Sequence, residues 1–179
     1  MSIFLLDICK EGLFRKPGNC VRMNTLRDLL IEHGPSLMID AEVYTPYDVA
    51  GVLKEFLREL PEPLLTERHM EAHRQVLGLG RHASTPEEIA RYRKKKLSAL
   101  QLLMLLMPSP AQKMTLQVVR LLQRVADCPE TKMTPTTLGT IFAPIFFLNR
   151  KVEASEVCSI VSLTEPAVAF MIEHAHDLF

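Results

Sequence analysis

Thr45-Pro46-Tyr47-Asp48-Val49-Ala50-Gly51-Val52-Leu53-Lys54-Glu55-Phe56-Leu57-Arg58-Glu59-Leu60-Pro61-Glu62-Pro63 reads as one helix with both ends marked. The Thr45 hydroxyl can cap the start, and Pro46 suits the first helical position, where a missing N–H is no loss. Val49, Val52, Leu53, Phe56, Leu57 and Leu60 recur at three- and four-residue steps and predict a single buried stripe. At about 100° per residue, Gly51, Lys54 and Arg58 fall together on the opposite side. Two cations four apart disfavour an isolated helix by roughly 0.2–0.5 kcal/mol. That face is either a solvated basic surface or one with a use, and the helix alone does not choose. Pro61 and Pro63 stop the helix sharply.

Working outward, the same helical signals recur. Asn19 can cap a helix through Val21, Leu26, Leu29 and Leu30 that stops at Gly34, and 35–44 reads as a connecting loop. Beyond Pro63, a helix is expected over Leu64 to Leu77, with Thr66 as cap and Gly78 and Gly80 closing it. Thr85-Pro86-Glu87-Glu88 is a capping box that opens a helix running through Leu97, Leu100, Leu103, Leu106 and Met107 to Pro108. Its second half is apolar nearly all round and is expected in the middle of the fold. Met114, Val118, Leu121, Leu122 and Val125 mark a helix over Ala111 to Ala126. Thr134-Pro135 starts another that reaches Phe147, with Pro144 expected to end regular helix. Thr164, with Pro166 nearby, introduces the last helix, whose face is Val168, Met171, Ile172 and Ala175. No stretch alternates strictly enough to force a strand. The expectation is a single all-α domain over 1–179, with about seven to nine helices.

With 47% hydrophobic residues in 179, the chain can bury a sizeable core. Lys plus Arg and Asp plus Glu both number 21, so net charge argues for neither nucleic acid nor a membrane surface. Charge is locally uneven: Arg91-Tyr92-Arg93-Lys94-Lys95-Lys96 is read as a solvated helix face, with anionic-lipid binding as the competing reading. Cys9, Cys20, Cys128 and Cys158 show no CxxC spacing, so neither a disulfide framework nor a zinc site is expected, and a reducing, cytoplasmic setting fits. Asp7 cuts the Ile3–Leu6 run short of a signal-peptide core, and Leu97–Met107 is about half the roughly 20 residues that cross a bilayer. No integral membrane segment is expected. His69 and His73 are four apart and could share a helix face, but no further ligand lies at useful spacing, so no metal site is expected. Nucleophile motifs and a GxxxxGK loop are absent. The chain is therefore expected not to be an enzyme by itself; any chemistry would be done by lending a group to another protein.

One stretch offers such a group. In Glu11-Gly12-Leu13-Phe14-Arg15-Lys16-Pro17-Gly18, two glycines bracket the segment and Pro17 fixes a backbone angle, so a shaped loop is favoured over helix. Leu13 and Phe14 can anchor it while Arg15 is held outward. This octapeptide resembles the arginine-finger loop of Rho GTPase-activating (RhoGAP) domains. Asp48 to Leu65 resembles the second signature of that family almost position for position, and Lys132-Met133, Leu138 and Phe142-Ala143-Pro144 resemble its third block. The likeness runs from about Cys9 to the C-terminus.

The resemblance implies an all-helical domain that docks on a GTP-bound Rho-family GTPase and stimulates hydrolysis, with Arg15 as the finger given in trans. It also implies that Lys54 contacts the GTPase, that Arg58 braces the loop, and that Gly51 permits close approach of the partner or the loop. GTP and Mg²⁺ would be held by the partner, leaving this chain with no cofactor of its own. Phe170-Met171-Ile172-Glu173-His174 is compatible with a branch directed at RhoA-type GTPases. Two departures stand out. Ile145 occupies a position where family members often carry an asparagine at the GTPase-binding surface, and only residues 1–10 precede the loop, where the family has a longer helical run. Both leave room for an alternative, a non-catalytic module that binds GTP-loaded Rho-family proteins.

Overall fold

The computed structural model describes residues 7–148 and 154–178, and among these residues every regular element is helical. Eight α-helices follow the opening loop: α1 (Cys20–His33), α2 (Pro46–Arg58), α3 (Glu67–Gly78), α4 (Pro86–Leu105), α5 (Ser109–Ala126), α6 (Pro135–Phe147), α7 (Ala154–Glu173) and α8 (Ala175–Leu178). Short 3₁₀ turns stand at Gly34–Ser36 and Pro129–Thr131. The starts follow the capping signals. Asn19 accepts from the Arg22 N–H, and Thr45 and Thr85 form reciprocal capping boxes with Asp48 and Glu88.

The largest core gathers residues from α2, α4, α5, α6, α7 and α8 around Phe142 and Phe146, with Leu65, Leu100, Leu122 and Met171 fully buried beside them. Leu13 and Phe14 of the opening loop belong to it. A smaller cluster of Leu26, Tyr44, Val49 and Val52 joins α1 to α2. Thus α2 has apolar residues in both clusters, and the loop that precedes α1 is pinned to its side.

Several boundaries differ from the expectation. Leu64 and Leu65 lie outside α3; they are buried in a bend ahead of it, where the Leu65 N–H donates to the Phe146 carbonyl at 2.8 Å. Helix α6 continues through Pro144 to Phe147. The missing N–H removes one helical hydrogen bond, and burial of Phe142, Ile145, Phe146 and Phe147 outweighs that loss. Helix α7 likewise runs through Thr164 and Pro166; Thr164 caps nothing, its hydroxyl donating to the Ile160 carbonyl at 2.6 Å inside the helix. The second half of α4 is buried on one side only, through Leu100 and Met104, while Leu102, Leu105 and Leu106 are exposed. Phe56, assigned to the α2 stripe, is 49% exposed.

The cysteine expectation is also corrected. Cys9 and Cys128 form a disulfide that joins the segment before the opening loop to the turn that follows α5, across 119 residues. The pairing was invisible because it depends on tertiary proximity and not on local spacing. Cys20 and Cys158 are free and exposed. No described helix is long and apolar enough to cross a membrane.

Candidate functional site

The opening loop is a tightly bonded turn. Leu13 N–H donates to the Lys10 carbonyl at 3.1 Å, and Arg15 and Lys16 both donate to the Gly12 carbonyl, at 2.9 and 2.8 Å. Gly12 itself adopts φ +72°, and its N–H donates to the Thr131 carbonyl at 2.7 Å. Tyr47 of α2 donates its hydroxyl to the Glu11 carbonyl at 3.0 Å, and Lys132 pairs with the Glu11 carboxylate at 3.2 Å. Each side of the loop base is therefore held by a different element.

Phe14 decides where the arginine goes. It is a non-glycine residue at φ +71°, a strained backbone region that persists only where surroundings over-determine it. Those surroundings are specific: its ring is 3% exposed and meets Phe142 edge-on at 5.1 Å, while its carbonyl accepts from Lys54 Nζ at 2.6 Å. With Phe14 fixed inward, Arg15 follows outward and is exposed.

Lys54 therefore braces the loop directly in this structure, in addition to the partner contact the resemblance implies for it. Burial, then the nearby Arg58 charge, lower its ammonium pKa below the usual lysine range, with Glu55 opposing. Arg58 is exposed at the last turn of α2. Lys54 and Arg58 do share a face as the helical spacing requires.

Gly51, one turn before Lys54, packs closely against another helix. It is buried against α1: a Cβ at this position would meet the Met23 Cε at 2.6 Å and Sδ at 2.7 Å. Its bare backbone receives the Met23 side chain of α1. Ile145, which stands where family members often carry an asparagine, faces inward. It is 2% exposed and packs in the main core, so its apolar character matches where it sits.

Asp48, for which the resemblance implies no separate role, is the hub of this region. Its carboxylate is fully buried and accepts from Asn19 N–H at 2.7 Å, Arg22 Nε at 2.8 Å, Thr45 N–H at 2.9 Å and Thr45 Oγ1 at 2.8 Å. Burial pushes its pKa up, but Arg22 and these donors outweigh burial and hold it at about 2. The loop end passes so close that a Cβ at Gly18 would lie 2.7 Å from the Asp48 Cα. One carboxylate fixes the loop exit and the starts of α1 and α2 together. The signal was present, since an acid three residues after a capping threonine predicts a capping box.

The two histidines of α3 each use Nδ1 for a bond within the helix and its entry. His69 Nδ1 bonds the Thr66 hydroxyl at 3.0 Å, and His73 Nδ1 donates to the His69 carbonyl at 2.7 Å. His73 is fully buried edge-on to Phe147, and burial pushes its pKa down to about 4.

Comparison with known proteins places this arrangement. A family model described as RhoGAP domain matches residues 2–151. Rho GTPase-activating protein 19 of Gallus gallus is 36% identical over 176 residues, 94% of this chain and 34% of that protein. The Homo sapiens protein of the same name is 35% identical over 176 residues, with the same coverage. The chain therefore spans about a third of the length of these curated relatives, 34%. Among solved structures, the BH domain from GRAF, the GTPase regulator associated with focal adhesion kinase, superposes with a TM-score of 0.78 at 23% identity, covering 99% of this chain and 88% of that one. Human Rho GTPase activating protein 15 superposes with a TM-score of 0.80 at 18% identity, covering 99% and 79%. At these identities the structural likeness speaks for the fold.

Proposed function

This chain belongs to the RhoGAP domain family, and from that premise we propose that it stimulates GTP hydrolysis by a Rho-family GTPase with Arg15 as the finger. The observation that carries the proposal is the pairing of an exposed Arg15 with a neighbour, Phe14, whose ring and carbonyl are both held by the fold. During phosphoryl transfer, charge spreads over the oxygens of the transferring group and the leaving group. A guanidinium offers permanent positive charge and several N–H donors in a planar fork, suited to those oxygens. Ordering the backbone before docking reduces the entropy lost when the finger enters the partner's site. The GTPase would hold GTP and Mg²⁺; this chain would add the arginine and exclude water around it. The Lys54–Arg58 face beside the loop is the proposed docking surface, with Lys54 also fixing the loop.

A preference for RhoA-type partners is part of the proposal and rests on the resemblance at 170–174. In that segment Met171 and Ile172 are buried, and the Phe170 and His174 rings pack together at 4.4 Å.

Single-turnover GTP hydrolysis by RhoA-, Rac- and Cdc42-type proteins tests the reading. The wild-type domain is expected to accelerate at least one of them, RhoA-type most. Arg15→Ala is expected to remove most of an effect of about 10³–10⁵-fold while leaving binding in place, and Arg15→Lys to restore little. Equal rates for wild type and Arg15→Ala across the panel would end the finger assignment. Binding of the GTP form without any stimulation would select the non-catalytic module instead.

A further inference from the structure

A cleft of about 390 Å³ opens between α3, α4 and α7, away from the residues that hold the opening loop. Arg74, Arg81 and Lys96 bring three cations to it, and Leu77, Leu163 and Phe170 give it apolar walls. No carboxylate lines it among the described residues. Arg74 is already paired, bidentate, with Glu71 at 2.6–2.7 Å. Arg81 and Lys96 have no ion pair among the described residues; Lys96 instead lies 6.0 Å over the Phe170 ring. Leu163 is 52% exposed at the rim. Next to the cleft, Arg91 and Lys95 flank the Tyr92 ring at 5.4 and 5.5 Å, which extends the positive surface along α4.

A merely solvated face has no need of a recess, nor of apolar walls converging from three helices. Two cations with no carboxylate partner among the described residues, set above such walls, fit an anion carried on an apolar stem. We propose that this cleft is a docking site for anionic phospholipid at a membrane surface, with Arg81 and Lys96 taking the headgroup phosphate. Leu77, Leu163 and Phe170 receive the part of the lipid below it. Arg91, Arg93, Lys94 and Lys95 add attraction to the bilayer at longer range. The proposal is independent of GTPase activation.

The test is co-sedimentation of the whole domain with phosphatidylcholine vesicles, with or without roughly a third phosphatidylserine. Binding is expected only to the anionic vesicles and should weaken with salt. Each cation at a membrane is worth about fivefold, so Arg81→Gln with Lys96→Gln is expected to weaken binding about 25-fold. Arg93→Gln with Lys94→Gln removes the same charge outside the cleft and is expected to cost less than about fivefold. Leu163→Ser should weaken binding with no charge changed. Matching thermal melts would show that the variants fold. Three results overturn the proposal: no preference for anionic vesicles, equal losses from the two charge pairs, or full displacement by soluble hexaglutamate or inorganic phosphate. The last would assign the cleft to an acidic peptide or a free anion.

Discussion

Lys54, Asp48 and His73 show how single residues set the behaviour of this domain. Lys54→Met keeps the stem but removes the charged donor from the Phe14 carbonyl. A hydrogen bond to a charged group is worth about 1.5–3 kcal/mol, so stimulation is expected to fall about 10- to 150-fold, in single-turnover hydrolysis, with the fold intact by circular dichroism. Asp48 and His73 should shape stability against pH in separate windows. The folded pKa of His73 is depressed to about 4 from an unfolded value near 6.5. The unfolded chain thus binds a proton that the native chain refuses, and stability falls as pH drops from about 6.5 to 4, by about 1.4 kcal/mol per unit. Asp48 is depressed to about 2, so its contribution is complete above about 4 and is lost between about 4 and 2. Urea unfolding across this range should show both limbs. His73→Leu should flatten the upper one and Asp48→Asn the lower one; an unchanged profile in either variant would refute its assignment.

Among elements, the loop and α2 carry two glycines with opposite demands. At Gly18 a Cβ meets the Asp48 Cα and backbone nitrogen, at 2.7 and 2.9 Å, atoms that cannot move without disturbing the α2 N-terminus. Gly18→Ala is expected to destabilise by about 1–3 kcal/mol and to reduce GTPase stimulation. At Gly51 the obstacle is the tip of Met23, a flexible side chain that can swing aside. Alanine also favours the helix by about 1 kcal/mol. Gly51→Ala should therefore be near neutral in thermal unfolding and leave stimulation unchanged. A large loss of activity at stable fold would instead return Gly51 to the partner surface. Helix starts were legible in Asn19, Thr45 and Thr85, because a capping oxygen acts on N–H groups two or three residues away. Helix lengths through Pro144 and Pro166 were not, because burial overrides the local cost of a proline.

At the scale of the molecule, the Cys9–Cys128 bond is a tether between the loop base and the region after α5. Closing a chain segment of 119 residues in sequence separation limits the unfolded ensemble, by up to about 5 kcal/mol in the loop-entropy estimate. Reductant is expected to lower the melting temperature of the wild type and to have no effect on Cys9→Ser, which should start from the lower value. Hydrogen exchange over residues 9–14 should rise in step, because Gly12 and Glu11 contact Thr131 and Lys132 just beyond that bond. Equal melting with and without reductant would show that the tether adds nothing to stability.

The amino-acid sequence by itself determined that the chain is helical, where most helices begin, and that Arg15 stands in a shaped loop anchored by Leu13 and Phe14. These properties depend on periodicity, capping and turn chemistry, which act within a few residues. Only the tertiary structure decided that Lys54 reaches Phe14, that Gly51 faces Met23, that Ile145 is buried, and that Cys9 meets Cys128. Periodicity identifies an apolar face but not the element that covers it. Each of these outcomes pairs groups distant in sequence, and the pairing exists only once the helices have packed.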